Sequence, residues 1–190
     1  MTISILGGKF KGQKLKLPPE KITRPTSAML KRKIFDAYQN LSEVIFVDLF
    51  AGSGSICCEA ISRGAKKTYI NEINKKSFKI LNENLSSFKG ADYEVQNEDA
   101  LKYLKFFLER VYLKLDSDQK ENTIIYIDPP YENIQMYKDL MNQLNQSSFN
   151  GVVWLETSTQ KGIKAEDIPL GEMQIHKSYE HSNNFILVIY

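Results

Sequence analysis

The stretch Val44-Ile45-Phe46-Val47-Asp48-Leu49-Phe50-Ala51-Gly52-Ser53-Gly54 joins an apolar run to a glycine-rich turn. Val44–Leu49 reads as a strand, and Ile56–Arg63, just past the turn, reads as a short helix. Small residues in such a turn let the backbone come close to a ligand, and the helix start favours an anionic group. The carboxyl ends of the strands are also the natural binding crevice of an open α/β sheet. Gly52 and Gly54 alone are a weak signal. A dinucleotide fingerprint asks for a third small residue three positions further on, and Cys57 stands there.

Outward from the turn, strands and helices alternate. Thr68–Ile73 is predicted as a second strand and Lys75–Phe88 as a helix with Phe78, Leu81 and Leu85 on one face. Tyr93–Gln96 is a third strand, Leu101–Leu115 a helix, and Asp116–Asn122 a polar loop. A fourth strand ends at Asp128, a helix surrounds Gln135–Leu144, and Gly151–Glu156 is the fifth strand. Residues 173–180 and 184–190 read as two closing strands in succession. Alternation of this kind implies right-handed βαβ units and a mostly parallel sheet, here closed by an antiparallel hairpin.

Three acids follow three of these strands beside the glycine turn. Glu72 lies about 20 residues beyond the glycines, where an acid can take both hydroxyls of a ribose. Asp99, after the third strand, can accept from an adenine amino group. The plainer reading makes Glu72 and Asp99 helix caps or surface charges. The third acid opens Asp128-Pro129-Pro130-Tyr131. Asp128 can accept one N–H of an exocyclic amine, and a carbonyl near the prolines can accept the other, because proline keeps its acceptor while fixing its own φ. Tyr131 can stack on the ring face. The amine lone pair is then turned toward an electrophile. A simple Pro-Pro turn that caps a strand is the bland alternative.

The first 40 residues differ from the rest. They hold nine lysines and arginines against two acids, whereas the remaining 150 carry five more acids than bases. Residues 2–17 alternate loosely around Gly7-Gly8 and Gly12, as a basic β-hairpin would, and Pro18-Pro19 ends it. Arg24-Pro25-Thr26-Ser27 looks like a helix start with Thr26 or Ser27 as N-cap, leading through Met29, Leu30, Ile34, Phe35 and Tyr38. The expected division is a basic, nucleic-acid-facing extension over 1–40 and a catalytic domain over 41–190, with the basic residues of 9–33 gripping phosphates. Cys57-Cys58, adjacent and without a distant partner, exclude a disulfide framework or a CxxC zinc site. With His176 and His181 as the only histidines, no metal is expected. No apolar run approaches a membrane span, no signal peptide is evident, and a cytoplasmic protein is expected.

These motifs, in this order, resemble the class I S-adenosylmethionine-dependent methyltransferases of the amino-methylating type, and most closely the RsmD family. The resemblance rests on Gly7-Gly8-Lys9-Phe10-Lys11-Gly12 with Leu15, on Arg24-Pro25-Thr26, and on Asp48–Gly54. It extends through Glu59-Ala60-Ile61-Ser62-Arg63-Gly64-Ala65, Asp128–Tyr131 and the strand from Val153 to Glu156, nearly the whole chain. It implies a Rossmann-like fold with a seven-stranded sheet and methylation of N2 of a guanine, of the guanine-966 type, in small-subunit ribosomal RNA. It also implies S-adenosyl-L-methionine held by Asp48, Phe50, Ala51, Gly52, Ser53, Gly54, Glu72, Asp99 and Ala100. Asp128, Pro129, Pro130 and Tyr131 would hold the guanine, and Lys9, Lys11, Arg24 and Thr26 would hold RNA. A monomer acting on an assembled small-subunit particle is expected. One departure falls at Ala28-Met29-Leu30-Lys31-Arg32-Lys33, where the family continues with acids and an arginine. Cys57-Cys58 also replace small or apolar residues and are expected in the core. An adenine-N6 methyltransferase, a non-catalytic RNA-binding module of the same fold and a nicotinamide oxidoreductase remain as alternatives.

Overall fold

The computed structural model describes residues 2–18, 28–130, 133–159 and 165–190. Seven strands form one sheet: β3 (Ile45–Asp48), β4 (Lys67–Asn71), β5 (Tyr93–Gln96), β6 (Thr123–Ile127), β7 (Val152–Ser158), β8 (Ile175–His181) and β9 (Asn184–Ile189). Their order is β5-β4-β3-β6-β7-β9-β8, with β9 antiparallel to both neighbours and every other pairing parallel. The chain winds from β3 outward to β5 and then returns to lay β6 on the other side of β3. The strand order therefore reverses between β3 and β6, the point at which a doubly wound sheet opens its ligand crevice. β3 and β6 are buried at every position, which is why they read as unbroken apolar runs. The edge strand β8 is largely exposed and carries His176, Lys177 and Glu180, charges of the kind that discourage further pairing.

One face of the sheet is covered by α1 (Ala28–Ala37), α2 (Ser55–Ser62) and α3 (Lys75–Leu85), the other by α4 (Ala100–Phe106) and α6 (Ile134–Asn145). Helix α1 buries Leu30, Ile34 and Phe35, at the spacing of one helical face. Phe35, Tyr38 and Phe46 surround the fully buried Trp154, with ring centroids 5.6, 4.9 and 5.6 Å away. Cys57 and Cys58 are fully buried, as expected.

Three expectations need correction. The segment Asp116–Asn122 is not a loop: Ser117–Glu121 forms a short helix, α5, closed by a capping box between Asp116 and Gln119. Its residues are polar on all sides, so no apolar period betrays it. The helix expected over Leu101–Leu115 is three pieces, with a π-helical turn at Phe107–Val111 and a 3₁₀ turn at Tyr112–Lys114 after α4. The third correction concerns charge. Lys31, counted with the phosphate-gripping basic residues, is buried and paired with Glu59 (Nζ to Oε2, 3.4 Å).

The basic N-terminal hairpin is β1 (Thr2–Ser4) against β2 (Lys14–Lys16). Ile5 and Leu15 are buried in a cluster with Cys57, Cys58, Leu81 and Phe88, which ties the hairpin to α2 and α3. The turn lies on the end of α2: the Lys9 amide donates to the Ser62 carbonyl at 2.7 Å. Gly8, at φ 76°, passes so close that a Cβ there would sit 1.8 Å from that carbonyl, so the position accepts only glycine. The proposed N-cap at Thr26 or Ser27, and Pro19, Arg24 and Pro25, lie outside the described residues.

Candidate active site

The carboxyl ends of β3, β4, β5 and β6 converge on the glycine turn. Leu49, leaving β3, donates to the Tyr126 carbonyl of β6 at 3.2 Å, so the exits of the two central strands run side by side. The turn itself is pinned at several points. The Ala51 amide donates to the Asn71 carbonyl at 3.0 Å and the Gly54 amide to the Ala51 carbonyl at 2.8 Å. Gly54 has φ 92°, and a Cβ on it would meet Leu81 Cδ1 at 2.8 Å. Glycine is needed there both for the left-handed backbone and for the packing of α2 against α3.

Glu72, leaving β4, accepts the Gly52 amide on Oε2 and the Asn74 amide on Oε1, both at 2.6 Å. Each carboxylate oxygen keeps a second lone pair, so the group is fixed in place with acceptor capacity left for two hydroxyls. Burial raises the Glu72 pKa, and the two amides oppose the rise. Asp99 stands where the plainer reading puts it, as the N-cap of α4, its Oδ1 accepting from Leu101 (3.1 Å) and Lys102 (3.2 Å) amides. It is half-buried, and Ala100 behind it is buried.

Asp48, the last residue of β3, is the most constrained acid. Its Oδ1 accepts the Phe50 amide at 3.2 Å, whereas Oδ2 is buried without a hydrogen-bond partner among the described residues. Burial pushes its pKa up to about 8, the Phe50 amide opposes this, and the charges of Glu72 and Asp128 raise it further. The Cys57 amide lowers it from too poor a geometry to count as a hydrogen bond. Asp128 follows β6 and is half-buried, Pro129 is buried and Pro130 is exposed. Tyr131 lies outside the described residues. Phe50 and Gly52 are half-buried, and Ala51, Ser53 and Gly54 are buried.

Of the RNA-directed residues, Lys9 and Lys11 are exposed on the hairpin turn. That turn sits at the C-terminal end of α2, whereas the glycine turn sits at its N-terminal end. The eight residues of α2 separate the two by about 11 Å at 1.5 Å per residue. Arg24 and Thr26 lie outside the described residues.

Sequence reasoning gave no role to four residues that organise this region. Asn71 donates from Nδ2 to the Leu49 and Glu98 carbonyls (3.2 and 3.0 Å) and accepts the Glu98 amide at 3.1 Å, stitching the ends of three strands together. Asn97 Nδ2 donates to the carbonyls of Glu72 and Ile73 at 2.5 and 2.9 Å. Glu59 is fully buried and accepts the Leu6 and Gly7 amides (2.9 and 2.8 Å), Arg63 Nε (3.1 Å) and Lys31 Nζ (3.4 Å). Asn84 bridges the hairpin and the glycine turn. Asparagine at or just past a strand end was the available signal for Asn71, which closes β4, and for Asn97, which follows β5.

A family model described as Conserved hypothetical protein 95 matches residues 3–188. The chain belongs to this family. The resemblance of its motifs to the RsmD family is matched by curated relatives of that family. "Ribosomal RNA small subunit methyltransferase D" of Escherichia coli K12 is 26% identical over 168 residues, covering 85% of this chain and 77% of the relative. The protein of the same name from Haemophilus influenzae is 29% identical over 169 residues, covering 85% and 81%. Among solved structures, "Putative methyltransferase yhhF from Escherichia coli" superposes with TM-score 0.77 at 22% identity, covering 100% of this family member and 97% of that chain. Trm1 from Pyrococcus horikoshii, solved with S-adenosyl-L-methionine, gives 0.69 at 11% identity, covering 100% and 60%. At such identities the likeness establishes the fold, that of class I methyltransferases.

Proposed function

We propose that this protein transfers a methyl group from S-adenosyl-L-methionine to the exocyclic N2 amine of a guanine, of the guanine-966 type, in small-subunit ribosomal RNA. The observation that carries the reading is the position of Asp128-Pro129-Pro130. They leave β6 beside the glycine turn at the reversal of strand order, with Asp48 and Glu72 close enough to share their electrostatics. The names of the curated relatives support ribosomal RNA as the substrate.

The residues present fit the cofactor. A carboxyl oxygen buried without a partner among the described residues, Asp48 Oδ2, suits a ligand that brings an ammonium group or a water to the turn. Among the described residues nothing lies within 4 Å of where a Cβ on Gly52 would sit, so none of them closes the turn on that side. Glu72 retains lone pairs for ribose hydroxyls, and Asp99 and Ala100 border the place for the adenine. Bound there, the cofactor supplies a methyl electrophile carried on a sulfonium.

The chain's own task is to present the amine. A guanine must leave its stack to enter such a crevice. Asp128 accepts one N–H of the extruded amine, the carbonyl region of Pro129 accepts the other, and Tyr131 stacks on the ring. These contacts would aim the nitrogen lone pair; as the N–C bond formed the methyl–sulfur bond would break, the cofactor would leave as a neutral thioether, and the amine's surplus proton would pass to Asp128 or to water. The rate gain comes chiefly from holding two reactants in line out of bulk water. Lys9, Lys11, Arg24 and Thr26 hold RNA phosphates. The substrate is an assembled small-subunit particle, the enzyme acts as a cytoplasmic monomer, and residues 1–40 form its RNA-facing part.

The test is transfer of labelled methyl from S-adenosylmethionine to small subunits that lack the modification, followed by nucleoside digestion and mass spectrometry. N2-methylguanosine is the expected product. N6-methyladenosine would keep the site and overturn the substrate, and no transfer to subunits, RNA or DNA would overturn the activity. Asp128→Ala should abolish transfer while leaving cofactor affinity within about threefold, a split expected of a residue that meets only the substrate.

A further inference from the structure

One side chain joins the two halves of the proposed machinery. Asn84 lies near the end of α3 and is buried. Its Oδ1 accepts the Lys16 amide at 2.9 Å, and its Nδ2 donates to the Lys16 carbonyl at 3.0 Å and to the Ser53 carbonyl at 2.8 Å. Both donors of the carboxamide are thereby used. Ser53 is the centre of the glycine turn. Lys16 is the last residue of β2, from which the chain departs through Pro18 toward Arg24 and Thr26. Asparagine is a mediocre helix former that competes for backbone hydrogen bonds, so a helix gains nothing from it locally. Here it serves two backbone segments outside its own helix.

Among the described residues, Asn84 is the side chain that hydrogen-bonds to both of these places. The other side chain that fixes the turn, Glu72, reaches Gly52 from the end of β4 and, among the described residues, bonds to Gly52 and Asn74 and not to the hairpin. The far end of the hairpin is clamped separately: Glu59 takes the Leu6 and Gly7 amides, and Ser62 Oγ takes the Phe10 amide at 2.9 Å. A second contact at the near end, Lys16 Nζ with Glu83 at 3.0 Å, is exposed and does not touch the turn.

We propose that Asn84 is a positioning residue that couples the cofactor turn to the hairpin, so that cofactor and RNA bind cooperatively. This rests on the methyltransferase reading above. A ligand seated on the turn fixes Ser53. A fixed Ser53 carbonyl holds the Asn84 carboxamide, and the carboxamide holds both polar groups of Lys16. Strand β2 is then held at Lys16, and less ordering of the hairpin remains for RNA to impose. By reciprocity RNA tightens cofactor binding by the same factor.

Two measurements on the full chain test the coupling. In the first, amide hydrogen exchange at Leu15, Lys16 and Leu17 is followed with and without S-adenosylhomocysteine, the unreactive product form. Protection of these amides should rise severalfold with ligand in the wild type and stay unchanged in Asn84→Ala. In the second, affinity for unmethylated small subunits is measured with and without the same ligand. The wild type should bind on the order of tenfold tighter with ligand present. Asn84→Ala should bring that ratio to about one while its affinity for S-adenosylhomocysteine alone stays within about threefold. Glu83→Gln, which removes the exposed neighbouring pair, should keep the wild-type ratio. A residue that merely stabilised the fold would shift melting but not the ratio. Unchanged hairpin exchange in the ligand-bound wild type overturns the proposal even if Asn84→Ala does not fold, and so does an Asn84→Ala ratio equal to the wild-type one. If the wild type binds neither ligand, the methyltransferase reading itself fails and the coupling falls with it.

Discussion

At the scale of single residues the site is governed by where its carboxyl groups meet water. Burial raises the pKa of Asp48 from its ordinary 3.8 to about 8. Between those values the folded chain binds one proton more than the unfolded chain, so stability falls as pH rises. The stabilising contribution is intact below the lower value and is lost by the upper one. Asp48→Asn keeps the shape and removes the titration. Its unfolding free energy should therefore gain on the wild type by up to about 1.4 kcal/mol per pH unit across that window, and by nothing beyond it. Chemical denaturation at several pH values within the window reads this directly, and a pH-independent difference would show that Asp48 is ionised in the native state throughout. The same acid predicts a binding signature. S-adenosylmethionine carries positive charge, and a cation near Asp48 favours its ionised form. Binding near neutral pH should then release protons, visible in calorimetry as a heat that varies with the buffer's ionisation enthalpy. Asp48→Asn should show less of that variation, and identical proton release in both would remove Asp48 from the cofactor's surroundings.

At the scale of elements, α2 does two jobs, following the glycine turn at one end and receiving the hairpin at the other. The central residue of the second job is Glu59, which satisfies Lys31, Arg63 and two hairpin amides. Burial lowers the Lys31 pKa and Glu59 works against that shift. Glu59→Ala takes from Lys31 its ion-pair partner, leaves Arg63 with Asp36 and the Phe35 carbonyl, and takes two amides' acceptor, and should cost about 3–5 kcal/mol. Adding Lys31→Met to that variant should recover part of the loss, since it removes one stranded charge. Denaturant midpoints at constant slope measure both, and a loss below about 1 kcal/mol for Glu59→Ala would mean that the pairs are idle. This network marks the limit of what the sequence discloses. Strands β3 and β6 were legible because burial on both faces leaves only apolar residues, and the glycine turn because φ near 90° excludes side chains. Glu59 could be seen as part of a motif, but its partner Lys31 reads as one more surface lysine until α1 is placed on the sheet. The polar residues of α5 leave no apolar period, the apolar residues of the π-turn after α4 read as continued helix, and the role of Asn84 depends on two backbone segments that meet only in the fold.

At the scale of the whole molecule the question is how far the RNA extends. The proposed reaction centre lies at the start of α2, and Lys9 and Lys11 lie on the turn fixed to its end. An RNA that meets both must run along the hairpin side of the molecule for at least the length of α2, about 11 Å, or roughly two nucleotide steps of backbone. Neutralising Lys9 and Lys11 together, as Lys9→Gln with Lys11→Gln, removes two phosphate contacts if that path is taken. The slope of log affinity against log salt should then become shallower by about 1.4 to 1.8, the release expected for two counterions. Their exposure makes the fold indifferent to the change, so melting should not move, and cofactor affinity should be unaltered because neither side chain approaches the glycine turn. The position of the hairpin turn makes the two halves of this prediction separable. Weaker binding with an unchanged salt slope would point to altered hairpin geometry, because only lost phosphate contacts change the number of ions released. An unchanged affinity and slope would mean that the RNA leaves the crevice in another direction, with its grip supplied by other residues of the basic segment.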